Sequence, residues 1–319
     1  MLRGLDSEVN RELSLLLPVA DAWQPNDYLP DLTQPDWIEA ITAFREKSAG
    51  LADGLLVVLV GGMVTEEALP SYSMAIDSIA SGGNRNGAPT AWAAWTRGWT
   101  AEENRHGDLL NAYLRLSGRV DMRAVEITTH HLINNGFDPA LSADPYKGLI
   151  YTAFQERATR VSHMNVGKIA MQQGEGALAR ICQKIAGDET RHETFYTRIM
   201  DSVFKQDPEN ALIAFATMMK RVIVMPGRRM FDGHDPDLFD HFAATAQRLG
   251  VYTVRDYSQI IEHLVRRWDI AHFSVSGPAA RAQNYLCRQA ERYLNFAEEA
   301  EKSLERLPVG FSWIHNRKA

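Results

Sequence analysis

The stretches Glu102-Glu103-Asn104-Arg105-His106 and Asp188-Glu189-Thr190-Arg191-His192 decide the fold of this chain. Both contain Glu-x-x-His in a segment with helical periodicity, and residues three apart on a helix lie on one face. Each motif can therefore direct a carboxylate and an imidazole to one point. Two such motifs, completed by one glutamate from each of two other helices, form the ligand set of a carboxylate-bridged di-iron site in a four-helix bundle.

An internal repeat supports this interpretation. Glu66 lies in an apolar helical segment before the first motif, and Glu156 lies at a similar distance before the second. The pattern is a helix with a glutamate, a loop and a helix with Glu-x-x-His, used twice. Two helix pairs related by a pseudo-twofold axis would bring all four helices to one centre.

The spacing alone leaves alternatives open. It does not separate Glu66 from Glu67, nor Glu102 from Glu103 as the partner of His106, because residues four apart also meet on a helix. One Glu-x-x-His is expected by chance among ten histidines, so two surface helices with ordinary charges are the competing interpretation. The shared context favours the metal site, since both motifs have an acid before the glutamate and both continue into Arg-His.

Charge balance also favours a metal site. Four ionised carboxylates in a core would be very unfavourable without compensating charge. Two divalent cations would balance them, and carboxylates combined with imidazoles suit iron or manganese.

Composition narrows the class of protein. The 319 residues are 45% hydrophobic and 23% charged, which permits a large core and argues against global disorder. The net charge of −6 argues against general nucleic-acid affinity. Cys182 and Cys287 indicate neither a metal motif nor a disulfide framework. The longest apolar run, Leu55 to Val64, is too short to span a bilayer, and no signal or transit peptide is recognisable, so we expect a soluble intracellular protein.

Periodicity predicts an all-α chain that forms a single domain over residues 1–319, because no linker divides it. An irregular segment covers 23–30, and loops are expected at 81–89 and 136–146. Pro70 should interrupt the second helix, and a short strand or hairpin is expected at Phe311-Ser312-Trp313-Ile314. The predicted helices are 35–47, 51–80, 90–116, 120–134, 148–172, 176–205, 211–224, 236–248, 254–268 and 278–306.

Four motifs resemble the soluble, plant-type acyl-[acyl-carrier-protein] desaturases. The likeness extends from Trp23-Gln24-Pro25 to Phe311-Ser312-Trp313-Ile314, and it is closer to the plastid stearoyl-carrier-protein enzymes than general membership of the ferritin-like superfamily would require. Without a transit peptide, the resemblance implies a bacterial cytoplasmic protein or a mature form in the plastid stroma. The motifs are Thr65-Glu66-Glu67-Ala68-Leu69-Pro70, Trp99-Thr100-Ala101-Glu102-Glu103-Asn104-Arg105-His106-Gly107, Phe154-Gln155-Glu156-Arg157-Ala158-Thr159 and Asp188-Glu189-Thr190-Arg191-His192-Glu193.

This resemblance implies a ferritin-like four-helix bundle with additional helices and two iron ions. It also assigns the ligands that spacing left open. Glu66, Glu103 and His106 would bind one iron, whereas Glu156, Glu189 and His192 would bind the other. Glu103 and Glu189 would bridge the two ions.

Three further residues acquire expected roles from the resemblance. Asp188 would orient His106, and Trp23 beyond it would offer an electron route, with simple packing as the alternative for Trp23. Thr159 lies one turn after Glu156 and would face the oxygen-binding side. The alternative for Thr159 is a hydrogen bond back to its own helix.

The implied reaction is O2-dependent insertion of a cis double bond into an acyl chain on acyl carrier protein, most often at C9–C10 of a C16 or C18 chain. Two electrons would come from reduced ferredoxin, in keeping with the lack of a dinucleotide-binding fingerprint. The acyl chain needs a narrow apolar channel. Ordinary core packing is the alternative for each expected channel residue: Ala75, Ile76, Ile79, Pro139, Leu141 and Gly148.

The resemblance also implies two protein contacts. The chain would form a homodimer, and an acidic carrier protein would require a basic docking site. Solvated surface arginines are the alternative for each candidate, which are Arg228-Arg229, Arg266-Arg267 and the pair Arg288 and Arg292.

Three other classes of di-iron protein compete with a desaturase. An iron-storage protein is usually one short bundle, but here more than a hundred residues follow His192. A ribonucleotide reductase small subunit would place a radical tyrosine where this chain has Leu110. A monooxygenase hydroxylase would need partner subunits and would give an alcohol, which product analysis distinguishes.

Overall fold

The computed structural model describes residues 2–73, 90–139, 141, 144–302 and 309–319, and the fold within these ranges is helical. This confirms the predicted all-α class. Among the described residues, β structure is limited to one isolated bridge between Gly310 and Lys318. The helices are α1 Asp6–Glu12, α2 Trp37–Ala49, α3 Asp53–Glu67, α4 Ala91–Ser117, α5 Met122–Asn134, α6 Pro145–Gln172, α7 Gly176–Gln206, α8 Pro208–Lys220, α9 Leu238–Arg248, α10 Val254–Arg267, α11 Gly277–Leu286 and α12 Gln289–Lys302.

Helices α3, α4, α6 and α7 form the central bundle. Helix α3 packs against α4 and α6, and α7 packs against the same two helices, so the four close into a ring. The remaining helices cover its outside: α8 and α10 lie against α6, α9 lies against α3, and α1 bridges α4 and α7. The four helices that sequence analysis selected for their glutamates and histidines are therefore the ones that share a centre.

Helix α3 is buried on nearly all sides, which its apolar sequence allows. Residues from Leu55 to Val64 are almost all inaccessible to solvent, and the buried Glu66 lies in the last turn. A helix that is apolar all round belongs in the interior of a protein. The glutamate is therefore carried into the core by the residues that precede it.

The interruption predicted at Pro70 lies two residues earlier. Helix α3 ends at Glu67, Ala68 forms a turn, and helical residues resume over 69–73. Because Pro70 has no N–H, the carbonyl of Glu66 lacks its usual donor four residues on. The Tyr72 hydroxyl supplies one instead, donating to the carbonyls of Thr65 at 2.6 Å and Glu66 at 3.0 Å.

Two glycines let the paired helices approach closely beside the ligands. A Cβ at Gly107 would lie 3.1 Å from Cγ of Glu67, and a Cβ at Gly167 would lie 3.2 Å from Cβ of Cys182. These distances are short for side-chain contacts, so larger residues would push the helices apart. Gly107 serves the α3–α4 pair, whereas Gly167 serves the α6–α7 pair.

Three sequence predictions of helix limits are wrong. The loop expected over 136–146 ends earlier, because Asp144 caps α6 by accepting hydrogen bonds from the amides of Tyr146 and Lys147, and Pro145 occupies the first helical position. The helix expected over 278–306 is two helices, α11 and α12, separated at Cys287 and Arg288. Helix α8 is also displaced from the expected range of 211–224.

The strand expected at 311–314 is wrong, although the chain does turn back there. Ser312–Ile314 is a 3-10 turn, and His315 and Asn316 adopt positive φ angles of 56° and 59°. Burial explains the error, because Phe311, Trp313 and Ile314 all insert into the core. Alternate apolar and polar residues would suit a strand better than this apolar cluster.

No single helix within the described ranges has the length and apolar character needed to cross a membrane. Helices α2 and α3 meet those criteria only as a pair, and they are bent by 113° relative to each other.

Candidate metal centre

The bundle brings all six predicted ligands together at its centre. Their ligand atoms fall into two groups, and within each group the atoms lie within 4.8 Å of one another. All six side chains are buried. Glu103 and Glu189 belong to both groups, as bridging carboxylates would. One group is Glu66, Glu103, His106 and Glu189, and the other is Glu103, Glu156, Glu189 and His192.

The two imidazoles point their Nδ1 atoms at the shared carboxylates. Nδ1 of His106 lies 3.4 Å from Oε2 of Glu103 and 3.3 Å from Oε1 of Glu189. Nδ1 of His192 lies 2.8 Å from Oε1 of Glu103 and 3.8 Å from Oε2 of Glu189. Each histidine thus reaches one carboxylate on its own helix and one on the facing helix.

Within the part of the chain that the structure describes, four of these inward atoms have no hydrogen-bond partner despite complete burial. They are Nδ1 of His106, Nδ1 of His192, Oε1 of Glu103 and Oε1 of Glu189. Nδ1 of His192 and Oε1 of Glu103 are close enough to bond, but their geometry is not that of a hydrogen bond. Buried polar atoms are normally paired. Nitrogen and oxygen atoms that converge without bonding one another fit a metal ion as their common partner.

The electrostatics of the cluster also favour bound cations. Burial raises the pKa of Glu156 well above its ordinary value, and it raises the pKa of Glu66. Burial would lower the pKa of His106, but the charge of Glu103 and the bond to Asp188 raise it well above its usual range. Glu66 and Glu156 thus resist ionising while His106 and His192 gain protons, and the two imidazoles lower the pKa of Glu189 despite its burial. The cluster balances its charges with protons that metal ions would replace.

An outer acid holds each imidazole from the opposite helix pair. Nε2 of His106, on α4, lies 3.3 Å from Oδ2 of Asp188 on α7. Nε2 of His192, on α7, lies 2.9 Å from Oε2 of Glu102 on α4. The acid that precedes the ligand glutamate in one motif therefore orients the histidine of the other.

Sequence analysis anticipates only half of this crossed arrangement. The resemblance assigns Asp188 to His106, whereas Glu102 enters only as an alternative inner ligand. The acid that precedes the glutamate in both motifs is the available signal. The second open alternative, Glu67, points away from the centre and accepts hydrogen bonds from Asn111 at 2.5 Å and Thr129 at 3.4 Å.

Two arginines compensate the outer acids. The Arg191 guanidinium donates to Asp188 at 2.8 Å and to Glu102 at 2.7 Å, so one cation serves both acids. Arg105 lies 3.5 Å from Asp188 and donates to the carbonyl of Trp23 at 2.7 Å. These charges allow both outer acids to remain ionised beside the imidazoles.

The segment before α2 closes the outside of the centre. The Trp23 indole donates to Asp188 at 2.9 Å, and its ring lies parallel to that of His106 at 6.1 Å between centroids. The amide of Leu17 donates to Glu102 at 2.9 Å, and the carbonyl of Leu15 accepts from Arg191 at 2.9 Å. Trp23 therefore contacts both Asp188 and the His106 ring from outside the bundle.

Glu66 and Glu156 each belong to only one ligand group, and we call them the terminal carboxylates. Each also has a donor on the opposite helix pair, and neither donor is predicted from the sequence. Glu66 lies 3.1 Å from Nε2 of His163 on α6, and Glu156 accepts from the indole of Trp99 on α4 at 3.1 Å. The spacing could have indicated His163, because it follows Glu156 by two helical turns and therefore lies on the same face of α6.

A cavity of about 180 Å³ adjoins the ligands. Its walls are mainly apolar, with Val58 and Leu59 from α3, and Phe239 and Phe242 from α9, while four ligand glutamates border it. Thr159 also lines this cavity, and its hydroxyl donates to the carbonyl of Gln155 at 3.0 Å. The side chain thus borders the cavity while making the backbone bond of the alternative interpretation.

The expected channel residues stand apart from this cavity so far as they are described. Ala75, Ile76 and Ile79 lie outside the described residues. The lining of the cavity does not include Pro139, Leu141 or Gly148, and the last two are buried. Their chain neighbours Phe137, Tyr151 and Thr152 do line it.

The candidate docking arginines are mostly paired with acids. Arg228 pairs with Asp240, Arg229 lies 3.7 Å from Asp138, Arg266 lies 3.9 Å from Glu262, and Arg267 lies 2.6 Å from Asp201. Arg288 and Arg292 are exposed, and the guanidinium of Arg292 lies over the ring of Phe296 at 5.8 Å.

The bundle and its paired Glu and Glu-x-x-His ligands define a class, the ferritin-like carboxylate proteins that bind metal between four helices. Within that class the chain belongs to the fatty acid desaturase family, whose model matches residues 1–315.

The comparisons with individual proteins agree with this assignment. The chain is 48% identical to stearoyl-[acyl-carrier-protein] 9-desaturase 5, chloroplastic, of Oryza sativa subsp. japonica, over 96% of this chain and 79% of the relative. It is also 48% identical to the acyl-[acyl-carrier-protein] 6-desaturase of Thunbergia alata, over 96% and 80%. Among solved structures, DesA2 from Mycobacterium tuberculosis H37Rv matches with a TM-score of 0.55 and 19% identity, over 88% of this chain and 98% of that one, which supports the fold.

Proposed function

We propose that this chain is an acyl-[acyl-carrier-protein] desaturase that inserts a cis double bond into a saturated acyl chain, as one step of fatty acid biosynthesis. The observation that carries the proposal is the position of the ligand cluster on the wall of an apolar cavity. The similarity to desaturases over nearly the whole chain supports the same activity.

Two iron ions are the proposed cofactor. Glu66 and His106 would hold one ion, Glu156 and His192 the other, and Glu103 would bridge them together with Glu189. Bound iron would supply the activation of O2 and the oxidising power needed to remove hydrogen from an unactivated carbon. The protein contributes position and charge, because four converging carboxylates balance two divalent cations.

The surrounding residues have proposed roles in holding this centre. Asp188 accepts from His106 and thereby directs Nδ1 of that ring inward. Trp23 is the proposed electron route, since its indole joins Asp188 and its ring stacks on His106. Thr159 lies on the cavity wall next to the carboxylates, where its hydroxyl can turn from the Gln155 carbonyl toward the substrate side.

The cavity is the proposed site of the acyl chain. Apolar walls from α3 and α9 would hold the methylene groups in place and exclude water from the reacting carbons. The channel residues predicted from the resemblance, Ala75, Ile76, Ile79, Pro139, Leu141 and Gly148, remain proposed for a deeper part of the path. C9–C10 of a C16 or C18 chain is the proposed position, but relatives named as 9- and 6-desaturases are equally similar, so product analysis has to decide it.

Acyl carrier protein and reduced ferredoxin are the proposed partners. Arg228 and Arg229 directly follow Pro226 and Gly227, which line the cavity, so this arginine pair is the best placed of the three candidates for docking an acidic carrier. A homodimer over the single 1–319 domain is also proposed. The chloroplast names of several relatives favour the plastid stroma over a bacterial cytoplasm.

The test is product analysis by gas chromatography–mass spectrometry. Iron-loaded protein is incubated with stearoyl- and palmitoyl-carrier protein, ferredoxin, its reductase, NADPH and O2. A mono-unsaturated product is expected, and its fragmentation gives the position of the double bond. A hydroxylated product would instead indicate a monooxygenase. No product from protein with two irons per chain would overturn the proposed substrate while leaving the metal centre.

A further inference from the structure

The two terminal carboxylates of the centre are held by chemically different donors. Glu156 accepts from the indole N–H of Trp99, which has one donor and no acceptor. Glu66 is bound by the imidazole of His163, which has two ring nitrogens. Both contacts measure 3.1 Å, and both cross from one helix pair to the other.

His163 is itself fixed from behind. The residue is 5% exposed, its Nε2 lies 3.1 Å from Oε1 of Glu66 on α3, and its ring interacts with the buried Cys182 thiol on α7. Gly167, one turn further along α6, allows the close approach of Cys182. The imidazole is therefore held between two helices and has little rotational freedom.

Glu66 needs such support more than Glu156 does. It lies in the last turn of α3, directly before the turn at Ala68, and its carbonyl lacks the amide donor four residues on because residue 70 is proline. Glu156 lies in the interior of the 28-residue helix α6. A ligand near a helix end has a less rigid backbone, so its carboxylate orientation depends more on a side-chain partner.

We propose that His163 is a positioning residue that holds Oε1 of Glu66 and so leaves the other oxygen of this carboxylate to the metal ion shared with His106. The inference rests on the metal centre of the proposed function, but not on its substrate. It predicts that loss of the imidazole weakens one of the two metal positions. Trp99 serves the other position in the same way.

The experiment is an anaerobic Co²⁺ titration of metal-free protein, followed by visible absorption and magnetic circular dichroism, which resolve the two binding steps. His163→Phe keeps the ring but removes the donor, whereas His163→Gln keeps a donor. Loss of an outer partner typically costs 10–100-fold in metal affinity. We expect the dissociation constant of one step to rise by about that factor in His163→Phe, and to recover largely in His163→Gln.

The matched control is Trp99→Phe, which should weaken the other step. A double variant tests whether the effect depends on Glu66. Glu66→Ala should retain one Co²⁺ binding step, and adding His163→Phe should not change the dissociation constant of that step. Thermal unfolding of each metal-free variant confirms that it is folded. If His163→Phe does not fold, the smaller His163→Leu tests the same loss of the donor.

Unchanged Co²⁺ affinities in a folded His163→Phe or His163→Leu protein would overturn the inference. An equal loss in the Glu66→Ala background would also overturn it, because His163 would then act without Glu66. Wild-type protein that binds no Co²⁺ would overturn the inference together with the metal centre. Two bound ions with the expected shift, but no desaturated product, would leave the inference standing and overturn the proposed substrate alone.

Discussion

The α3–α4 pair and the α6–α7 pair contribute the same ligands from unlike backbones. In the first pair, Glu66 ends an apolar helix just before a break, and a tyrosine hydroxyl replaces the missing amide donor. In the second pair, Glu156 lies within a long unbroken helix whose start is capped by Asp144. A repeated ligand pattern thus does not require a repeated scaffold, and the weaker backbone has the more elaborate side-chain support.

The two pairs are nevertheless dependent on each other. Asp188 holds the imidazole of His106, Glu102 holds that of His192, and Arg191 contacts both acids. Because each pair orients the ligands of the other, neither could present a complete metal position alone. The symmetry of the centre lies in these contacts rather than in the helices.

The largest expected effect comes from removing a shared ligand. Glu189→Ala should empty or severely weaken both metal positions and abolish activity while the fold largely survives, since Glu189 belongs to both ligand groups. Glu66→Ala should lose one ion per chain and retain the other. Inductively coupled plasma mass spectrometry measures the metal content of both variants, and circular dichroism confirms that both are folded. Full iron occupancy in Glu189→Ala would contradict the assignment.

Metal removal should loosen the first pair more than the second. A ligand present at 1,000 times its dissociation constant stabilises a fold by about 4 kcal/mol, so urea unfolding after chelation should show a loss of this order. Hydrogen exchange should then rise most around residues 64–69, at the broken end of α3, and least around 154–158 in α6. Equal protection from exchange in both regions would show that the break does not make this end of α3 easier to open than α6.

The crossed acids offer a matched pair of variants. Asp188→Asn and Glu102→Gln keep the size of each side chain but remove its charge, and each should weaken one metal position by about 10–100-fold. Because the acids cross, Asp188→Asn should affect the ion held by His106, and Glu102→Gln the ion held by His192. Isothermal titration with Fe²⁺ under anaerobic conditions measures both. If each variant weakened both positions equally, Arg191 would be coupling them more strongly than the direct contacts do.

The smallest expected effect on the metal positions is that of Trp23→Phe, which leaves Asp188 and His106 in place. It removes one hydrogen bond to a charged acceptor, which is typically worth about 1.5–3 kcal/mol, while an aromatic ring still stacks on His106. Urea unfolding measures that loss. The proposed electron route adds a second expectation: turnover with ferredoxin should fall, but reduction by dithionite should not. Unchanged turnover would reduce Trp23 to a packing role.

Much of this centre can be predicted from sequence because helices repeat regularly. Residues three or four apart share a face whatever their surroundings, so periodicity places His106 on the same face as Glu102 and Glu103. Glu67 and Glu102 cannot be excluded by periodicity alone. Their orientation depends on neighbours from other helices, such as Asn111 and His192, which periodicity within one helix does not reveal.

The errors in the predicted fold have a similar origin. The break at Cys287 between α11 and α12 leaves no proline or glycine to indicate it. The segment from Phe311 to Ile314 is apolar enough for a strand, but no strand among the described residues lies beside it. It forms a tight turn that buries three apolar side chains instead. His163 and Trp99 were missed because their partners lie across the bundle, on helices far away in sequence.

The segment that contains Leu15, Leu17 and Trp23 has a consequence for the dielectric environment of the centre. It covers the outer acids with one indole and one amide and covers Arg191 with one carbonyl, and both imidazoles beneath are fully buried. Charge interactions strengthen several-fold as the local dielectric constant falls from that of water. This short, mostly non-helical stretch therefore keeps the local dielectric constant low. It strengthens the contacts of Asp188 and Glu102 with the two imidazoles and with Arg191.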